Sequence, residues 1–381
     1  MKVAINTLPG KSYGSATYFR NFLPVLAMID KNNHYLMFLT KEKLNEYKVN
    51  QENFTNIVCN FAGFSLITRL IWEQLIFPFV LKKHNVDLLY SPSNLNIMFS
   101  PVNSIISIRN MEIFFYKTYS NQWLLNLRNW ILYWLTRFSL RNASKVVAVS
   151  GFVREYLLKS LDIPREKLSL IYHGRSDTSF RFKNDTIGKD GNSMGLNKPY
   201  LLTVSKFIAY ANLDKLIEGY SLLEEKNIFP LVIVGGIQDK AYYNRILDFV
   251  RSNDLQSKIQ FLGFVPPKDL TYLYRDAFLF VFPSTLEACP NTLIEGMSYG
   301  LPIATSKVGV MPEICQDAAM YFDPYNPEDI AEKIELIIKK QDLRKELRRK
   351  SLRRAQCFSW DKTAKQTLAL FEEVYNRSHE R

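Results

Sequence analysis

Pro283-Ser284-Thr285-Leu286-Glu287-Ala288-Cys289-Pro290-Asn291-Thr292-Leu293-Ile294-Glu295-Gly296-Met297-Ser298-Tyr299-Gly300-Leu301-Pro302 reads as a strand end, a turn and a helix start. The apolar run Phe278 to Phe282 before it has the length and composition of a buried strand, which Pro283-Ser284-Thr285 would end. Pro290 and Asn291 make a turn, with Asn291 as N-cap and Thr292 to Tyr299 as helix. A strand-loop-helix unit of this kind points backbone N–H groups and the positive helix end at the cleft above a sheet, a seat for a diphosphate. Glu295, one turn into the helix, can face the same cleft and accept both hydroxyls of a ribose. Glu287, on the loop, can reach a sugar beyond the phosphates.

These residues resemble the donor-site signature of retaining glycosyltransferases of family 4 (glycosyl transferases group 1). The resemblance is carried by the E-x7-E spacing with Gly300-Leu301-Pro302 behind it, by the flanking Pro-Ser and Pro-Asn-Thr, and by the buried strand in front. It implies an α/β chain of the GT-B fold, two doubly wound Rossmann-like domains facing a deep interdomain cleft. It also implies that Glu287 contacts the donor sugar, that Glu295 holds the ribose, and that the backbone of Asn291, Thr292 and Leu293 takes the diphosphate. The co-substrate would be a UDP- or GDP-sugar, with no further cofactor.

Outward from this segment, short apolar runs alternate with helical patterns through both halves, the sign of parallel α/β sheets. Strands are expected at Val3–Asn6, Tyr35–Leu39, Ile57–Cys59, Leu88–Tyr90, Ile105–Ile108, Val146–Val149 and Leu168–Tyr172. After a break they resume at Tyr200–Val204, Leu231–Val234, Ile259–Leu262, Phe278–Phe282, Ile303–Thr305 and Met320–Phe322. The polar, glycine-rich stretch Arg175 to Lys198 marks the boundary. The expected division is an acceptor-binding domain over 1–180, a linker over 181–198 and a nucleotide-sugar domain over 199–358. In the resembling family a tail such as the helical pattern at about 360–381 crosses back onto the first domain.

Several residues outside the central segment are candidates for the site. Tyr200 to Lys206 is a strand ending in a cation, and the resemblance assigns Lys206 to the leaving diphosphate. The family's second lysine, just before an Asn, is replaced by Ala211 before Asn212; Lys215 lies one turn on and either compensates or faces solvent. Gly10 to Ala16 is a glycine loop between a first strand and the helix Thr17–Met28, and the resemblance puts Tyr13 and Gly14 beside the acceptor and the diphosphate. Arg109 and Asn110 stand where many members have His-Asp. Either can hydrogen-bond a sugar or phosphate, and neither suits a general base. His173 is a cleft residue on the acceptor side or a satisfied strand-end histidine. Phe264 follows a strand and either stacks on the nucleobase or joins the core. No D-x-D pair occurs, so no metal is expected, and Lys206 with a helix N-terminus would neutralise the diphosphate instead.

Composition narrows the rest. At 381 residues the chain exceeds one core, and 47% hydrophobic with 23% charged residues is globular. Cys59, Cys289, Cys315 and Cys357 form no metal or disulfide pattern, which favours a reducing, cytoplasmic setting. The start MKVAINTLPG is too polar for a signal peptide, and Arg69 and Glu73 interrupt the longest apolar run. The net charge of +12 is concentrated in part between Ile113 and Arg154, where no Asp or Glu occurs and Trp123, Trp130 and Trp134 are interleaved with basic residues. Three readings of that stretch stay open: a segment lying on an anionic membrane, an ordinary core helix, and, ranked last, a nucleic-acid surface. The resulting expectation is a hexosyltransferase acting on a glycan or polyprenyl-linked glycan of lipopolysaccharide, O-antigen or capsule. It would be cytoplasmic or peripheral on the inner face of the plasma membrane, and would bind no nucleic acid. The alternatives are a sugar-nucleotide epimerase and a non-catalytic nucleotide-sugar or nucleic-acid binding protein.

Overall fold

The thirteen expected apolar runs all become strands in a computed structural model of the chain, sorted into two sheets. The structure describes all residues except 10–12, 62–64, 120–122, 176–195, 197–198 and 381, together with the side chains of 13 and 66. The chain divides into two compact units, Met1–Gly174 with Ser359–Arg381, and Arg175–Phe358. Most of the expected linker, 181–198, lies outside the described residues.

The first unit holds β1 (Lys2–Asn6), β2 (His34–Leu39), β3 (Phe54–Val58), β4 (Leu88–Ser91), β5 (Asn103–Ile108), β6 (Lys145–Ala148) and β7 (Leu168–Leu170). They pair in parallel in the order β3-β2-β1-β4-β5-β6-β7. The second holds β8 (Leu201–Val204), β9 (Leu231–Val234), β10 (Ile259–Gly263), β11 (Leu279–Phe282), β12 (Ile303–Ser306) and β13 (Met320–Phe322), in the order β10-β9-β8-β11-β12-β13. Both are doubly wound, and the direction of winding reverses between β1 and β4 and between β8 and β11. Ligands of such sheets bind outside the carboxyl ends of the strands at that reversal.

The β3 strand is displaced from its expected place, running over Phe54–Val58 and leaving Cys59 beyond its end. Register explains the difference: Tyr35 pairs with Phe54 and Leu39 with Val58, so the whole length of β2 draws polar Thr55 and Asn56 into the ladder. In the first unit the core includes Phe22, Tyr35, Met37, Leu88 and Tyr90, and the C-terminal helix Trp360–His379 completes it with Ala364, Phe371 and Val374. The Phe371 ring sits 5.1 Å from that of Tyr90. The returning chain comes so close that a Cβ on Gly174 would lie 2.1 Å from the Trp360 nitrogen. Phe371 is fully buried, so Phe371→Ala is expected to destabilise the first unit by about 3–5 kcal/mol. Urea denaturation followed by near-UV circular dichroism would show the loss as a lowered midpoint.

Candidate active site

The β11 strand delivers the segment Pro283–Pro290 to the carboxyl edge of the second sheet, beside the end of β8. Its loop is fastened from below. The Tyr210 carbonyl accepts from the Thr285 N–H (2.8 Å), the Thr285 hydroxyl (3.1 Å) and the Ser284 hydroxyl (3.2 Å). The Ser306 hydroxyl, at the end of β12, donates to the Ser284 carbonyl at 2.6 Å. With the loop held, Glu287 turns inward, and its carboxylate Oε1 lies 3.2 Å from Ser284 Oγ. Burial pushes the Glu287 carboxyl up to about 7, and the Lys206 ammonium and the Ser284 hydroxyl only partly offset that. Two expected site residues, Lys206 and Glu287, thus follow β8 and β11, the neighbouring strands at the reversal of the sheet.

Glu295 lies on the helix Asn291–Ser298. The Tyr274 hydroxyl, on the helix Pro267–Asp276, lies 3.2 Å from both Glu295 Oε2 and the Thr292 carbonyl. Tyr274 is buried and stacks on Tyr299 at 5.4 Å. Burial, and then the negative charge of Glu295, hold its phenol well above the ordinary value, so it stays a donor. The sequence carries no signal for Tyr274, because it comes from a helix twenty-odd residues away by number and has no motif of its own.

The helix start needs a correction. Asn291 was expected as N-cap, but Pro290 takes that position, Asn291 is the first helical residue, and no side chain caps the turn. The Pro290 carbonyl accepts from the Leu293 and Ile294 N–H groups, both at 3.1 Å. Leu293 is fully buried, so it contributes through the backbone alone. The helix ends as Gly300-Leu301-Pro302 implies. Gly300 has φ +69°, its N–H reaches the Met297 carbonyl at 2.9 Å, and that of Leu301 reaches Gly296 at 3.2 Å.

Phe264 is 52% exposed after β10, which removes the core alternative. Lys215 is engaged with Glu218 at 2.5 Å along its own helix. Ala211 is fully buried in the core of the second unit.

At the carboxyl edge of the first sheet, three expected residues meet. Arg109 donates from Nε to His173 Nε2 (3.2 Å), from one terminal nitrogen to the Gly14 carbonyl (3.1 Å), and from the other to the Pro92 carbonyl (3.3 Å). Its guanidinium lies 3.9 Å from the centre of the Tyr18 ring. His173 is buried and stacks on Trp360 at 5.8 Å. The contact from Arg109 requires Nε2 to be unprotonated, which puts the ring proton on Nδ1. Asn110 is exposed, its N–H bonded to Asn94 Oδ1 (3.1 Å) and its Oδ1 accepting from the Glu112 N–H (2.8 Å). Gly10 to Ser12 lie outside the described residues, as does the Tyr13 side chain; Tyr13 begins the helix Tyr13–Ile29.

Residues 189–354 match the family Glycosyl transferases group 1, and residues 14–178 match Glycosyltransferase Family 4. The chain belongs to this glycosyltransferase family. O-antigen chain mannosyltransferase B of Escherichia coli is 26% identical over 246 residues, covering 61% of this chain and 62% of that protein. The chain therefore spans less than two thirds of that relative's length. Among solved structures, HepE of Anabaena in complex with UDP and glucose superposes with a TM-score of 0.73 at 17% identity, over 98% of this chain and all of that one. WaaG, a glycosyltransferase involved in lipopolysaccharide biosynthesis, gives 0.72 at 13% identity, over 96% of this chain and 98% of that one. The fold is GT-B.

The elevated Glu287 carboxyl has a stability consequence. The folded state binds its proton more tightly than the unfolded state, so the cost of ionising it is absent below about 4.5, grows between 4.5 and 7, and is full above 7. At pH 8 that cost is on the order of 3 kcal/mol, taking 1.36 kcal/mol for each pH interval crossed. Glu287→Gln should raise the melting midpoint at pH 8, with the gain shrinking toward pH 5, as read by calorimetry at the two pH values.

Proposed function

We propose that the chain transfers a hexose from a UDP- or GDP-sugar to a hydroxyl of a glycan, carried on a polyprenyl lipid, in the synthesis of a cell-envelope polysaccharide, with retention of anomeric configuration. The observation that carries this reading is the placing of Lys206 after β8 and Glu287 after β11, the two strands at the reversal point of the second sheet, with Glu295 on the helix that follows. The acceptor side is assigned to the first unit and the nucleotide-sugar to the second. The UDP and glucose bound by HepE support a nucleotide-sugar site. The O-antigen relative and WaaG support an envelope glycan as acceptor.

In this mechanism Glu287 orients the donor sugar and Glu295, steadied by Tyr274, accepts the ribose hydroxyls. Lys206 and the start of the helix Asn291–Ser298 stabilise charge as the diphosphate departs. No metal is required for that step. Retention follows if the departing phosphate itself takes the acceptor proton on the face it leaves, so that no protein base takes part. The engagement of His173 Nε2 and of the Arg109 donors with protein partners fits such a scheme. Phe264 is an exposed platform for the base. No helix among the described residues is long and apolar enough to cross a membrane, and the reading puts the enzyme in the cytoplasm, peripheral to the plasma membrane.

A thermal-shift series with UDP, GDP and their sugar conjugates tests the donor site. A nucleotide present at a thousand times its Kd adds about 4 kcal/mol to stability. One base is expected to raise the midpoint, Glu295→Ala to abolish the shift, and Lys206→Ala to weaken it for the diphosphates. A series in which none of these ligands moves the native protein would overturn the reading.

A further inference from the structure

The helix Trp123–Asn142 buries polar residues and exposes aromatic ones. Asn129, Thr136 and Ser139, at 1%, 0% and 1% exposure, are buried together with Leu140. To solvent the helix turns Trp123, Leu127, Trp130, Trp134 and Phe138, whose spacing of three and four makes one continuous stripe. In water this arrangement is unfavourable on both faces. The buried side is answered only in part. Ser139 Oγ donates to the Leu135 carbonyl (2.8 Å) and accepts from the Asn96 N–H (3.2 Å), while the Thr136 hydroxyl has no hydrogen-bond partner among the described residues.

The stripe continues onto neighbouring elements of the same unit. The Phe99 ring, 80% exposed, meets Phe138 edge-on at 5.7 Å. Its loop is tied to the helix by Asn142 Nδ2 donating to the Met98 carbonyl (3.2 Å). On the other side Gln74 Oε1 accepts from the Met98 N–H (2.8 Å), and Gln74 Nε2 donates to the Asn96 carbonyl (3.1 Å). Gln74 lies in the π-helical turn Trp72–Ile76, which, with the helix Phe77–Lys83, exposes Leu75, Ile76 and Phe79. Arg128 and Arg141 on one element and Lys82 and Lys83 on the other are exposed. Not one carboxylate side chain occurs from Ile113 to Arg154.

We infer that this composite face docks on an anionic lipid bilayer, with the indole rings at the level of the headgroups and the cations over them. A second copy of the chain suits the face poorly, because a two-fold contact would set the same cations against each other. The helix Trp123–Asn142 connects β5 to the parallel β6, so it runs back along the sheet and its Trp123 end lies toward the carboxyl edge that carries Arg109. Docking there would present a lipid-borne acceptor to that edge. This last point rests on the proposed glycosyl transfer; the docking face stands without it.

The test is co-sedimentation of the full chain with vesicles of phosphatidylcholine, alone or mixed with phosphatidylglycerol. Binding is expected to the mixed vesicles, to fall as salt rises, and to shift tryptophan emission to shorter wavelength. The exposed-site variants Trp130→Ser/Trp134→Ser and Lys82→Glu/Arg141→Glu should each lower partitioning at least about tenfold while keeping the native melting midpoint. Equal sedimentation of native and variant chains, or no binding of the native chain, would overturn the proposal. So would a dimer in light scattering that Trp130→Ser/Trp134→Ser dissociates, since it would give the face to a second copy. Nucleotide thermal shifts run on the same samples separate the two readings, because vesicle binding that persists without any nucleotide response leaves the docking face standing and removes the donor site.

Discussion

The Tyr210 carbonyl oxygen is the point on which the candidate site depends. A loop that enters a protein interior must have its polar atoms answered, and those of Ser284 and Thr285 converge on this one acceptor. Tyr210 belongs to the turn after β8, so the bonds join two strand ends that flank the reversal of the sheet. Thr203 Oγ1 bonds the Val281 carbonyl at 2.6 Å and Thr305 Oγ1 the Phe282 carbonyl at 2.8 Å, which fixes β11 against both neighbours. The position of Glu287 is a consequence of this fastening. The half-buried carboxylate is held there by a loop whose backbone is bonded on both sides.

Close backbone approach makes the same edge possible elsewhere. A Cβ on Gly235 would lie 1.9 Å from the Ser205 carbonyl oxygen, so the turns after β8 and β9 touch through bare backbone. The Gly235 N–H in turn bonds the Gly263 carbonyl at 2.8 Å, which links the end of β10 and hence Phe264 to the same row. Strand ends that carry Lys206, Glu287 and Phe264 are therefore one connected edge, and the chemistry assigned to it draws on side chains far apart in the sequence.

Much of this was legible beforehand because parallel strands are buried on both faces and read as short apolar runs. The runs predicted every strand among the described residues, while Glu287, Glu295 and Lys206 were singled out by the family resemblance together with their place near such runs. What stayed hidden came from contacts between distant segments. Tyr274 supports Glu295 from another helix, and Trp360 returns from the C-terminal end to cover His173. Glu73 was read only as an interruption of an apolar run. It is in fact buried in the π-helical turn, bonded to Asn6 Nδ2 at 2.9 Å, and its carboxyl is raised by burial. The turn at Asn291 misled for a local reason: Asn is a favoured cap, but the proline before it, with its φ already fixed, took the position.

Ala211 connects the departure from the family pattern to the electrostatics of the site. The resembling enzymes carry a second lysine there, and this chain packs a methyl group into the core instead. The adjacent Tyr210 carbonyl bonds the loop that bears Glu287, so position 211 adjoins the turn that holds that loop. Lys206 is the cation that acts on Glu287, and it does not overcome the cost of burial. A second ammonium nearby would favour the ionised form and bring the carboxyl down toward its ordinary range. Burial pushes the Glu287 carboxyl up to about 7, so that it is shared between donor and acceptor forms at neutral pH. In the proposed role, a contact from Glu287 to a sugar hydroxyl would be open in either sense.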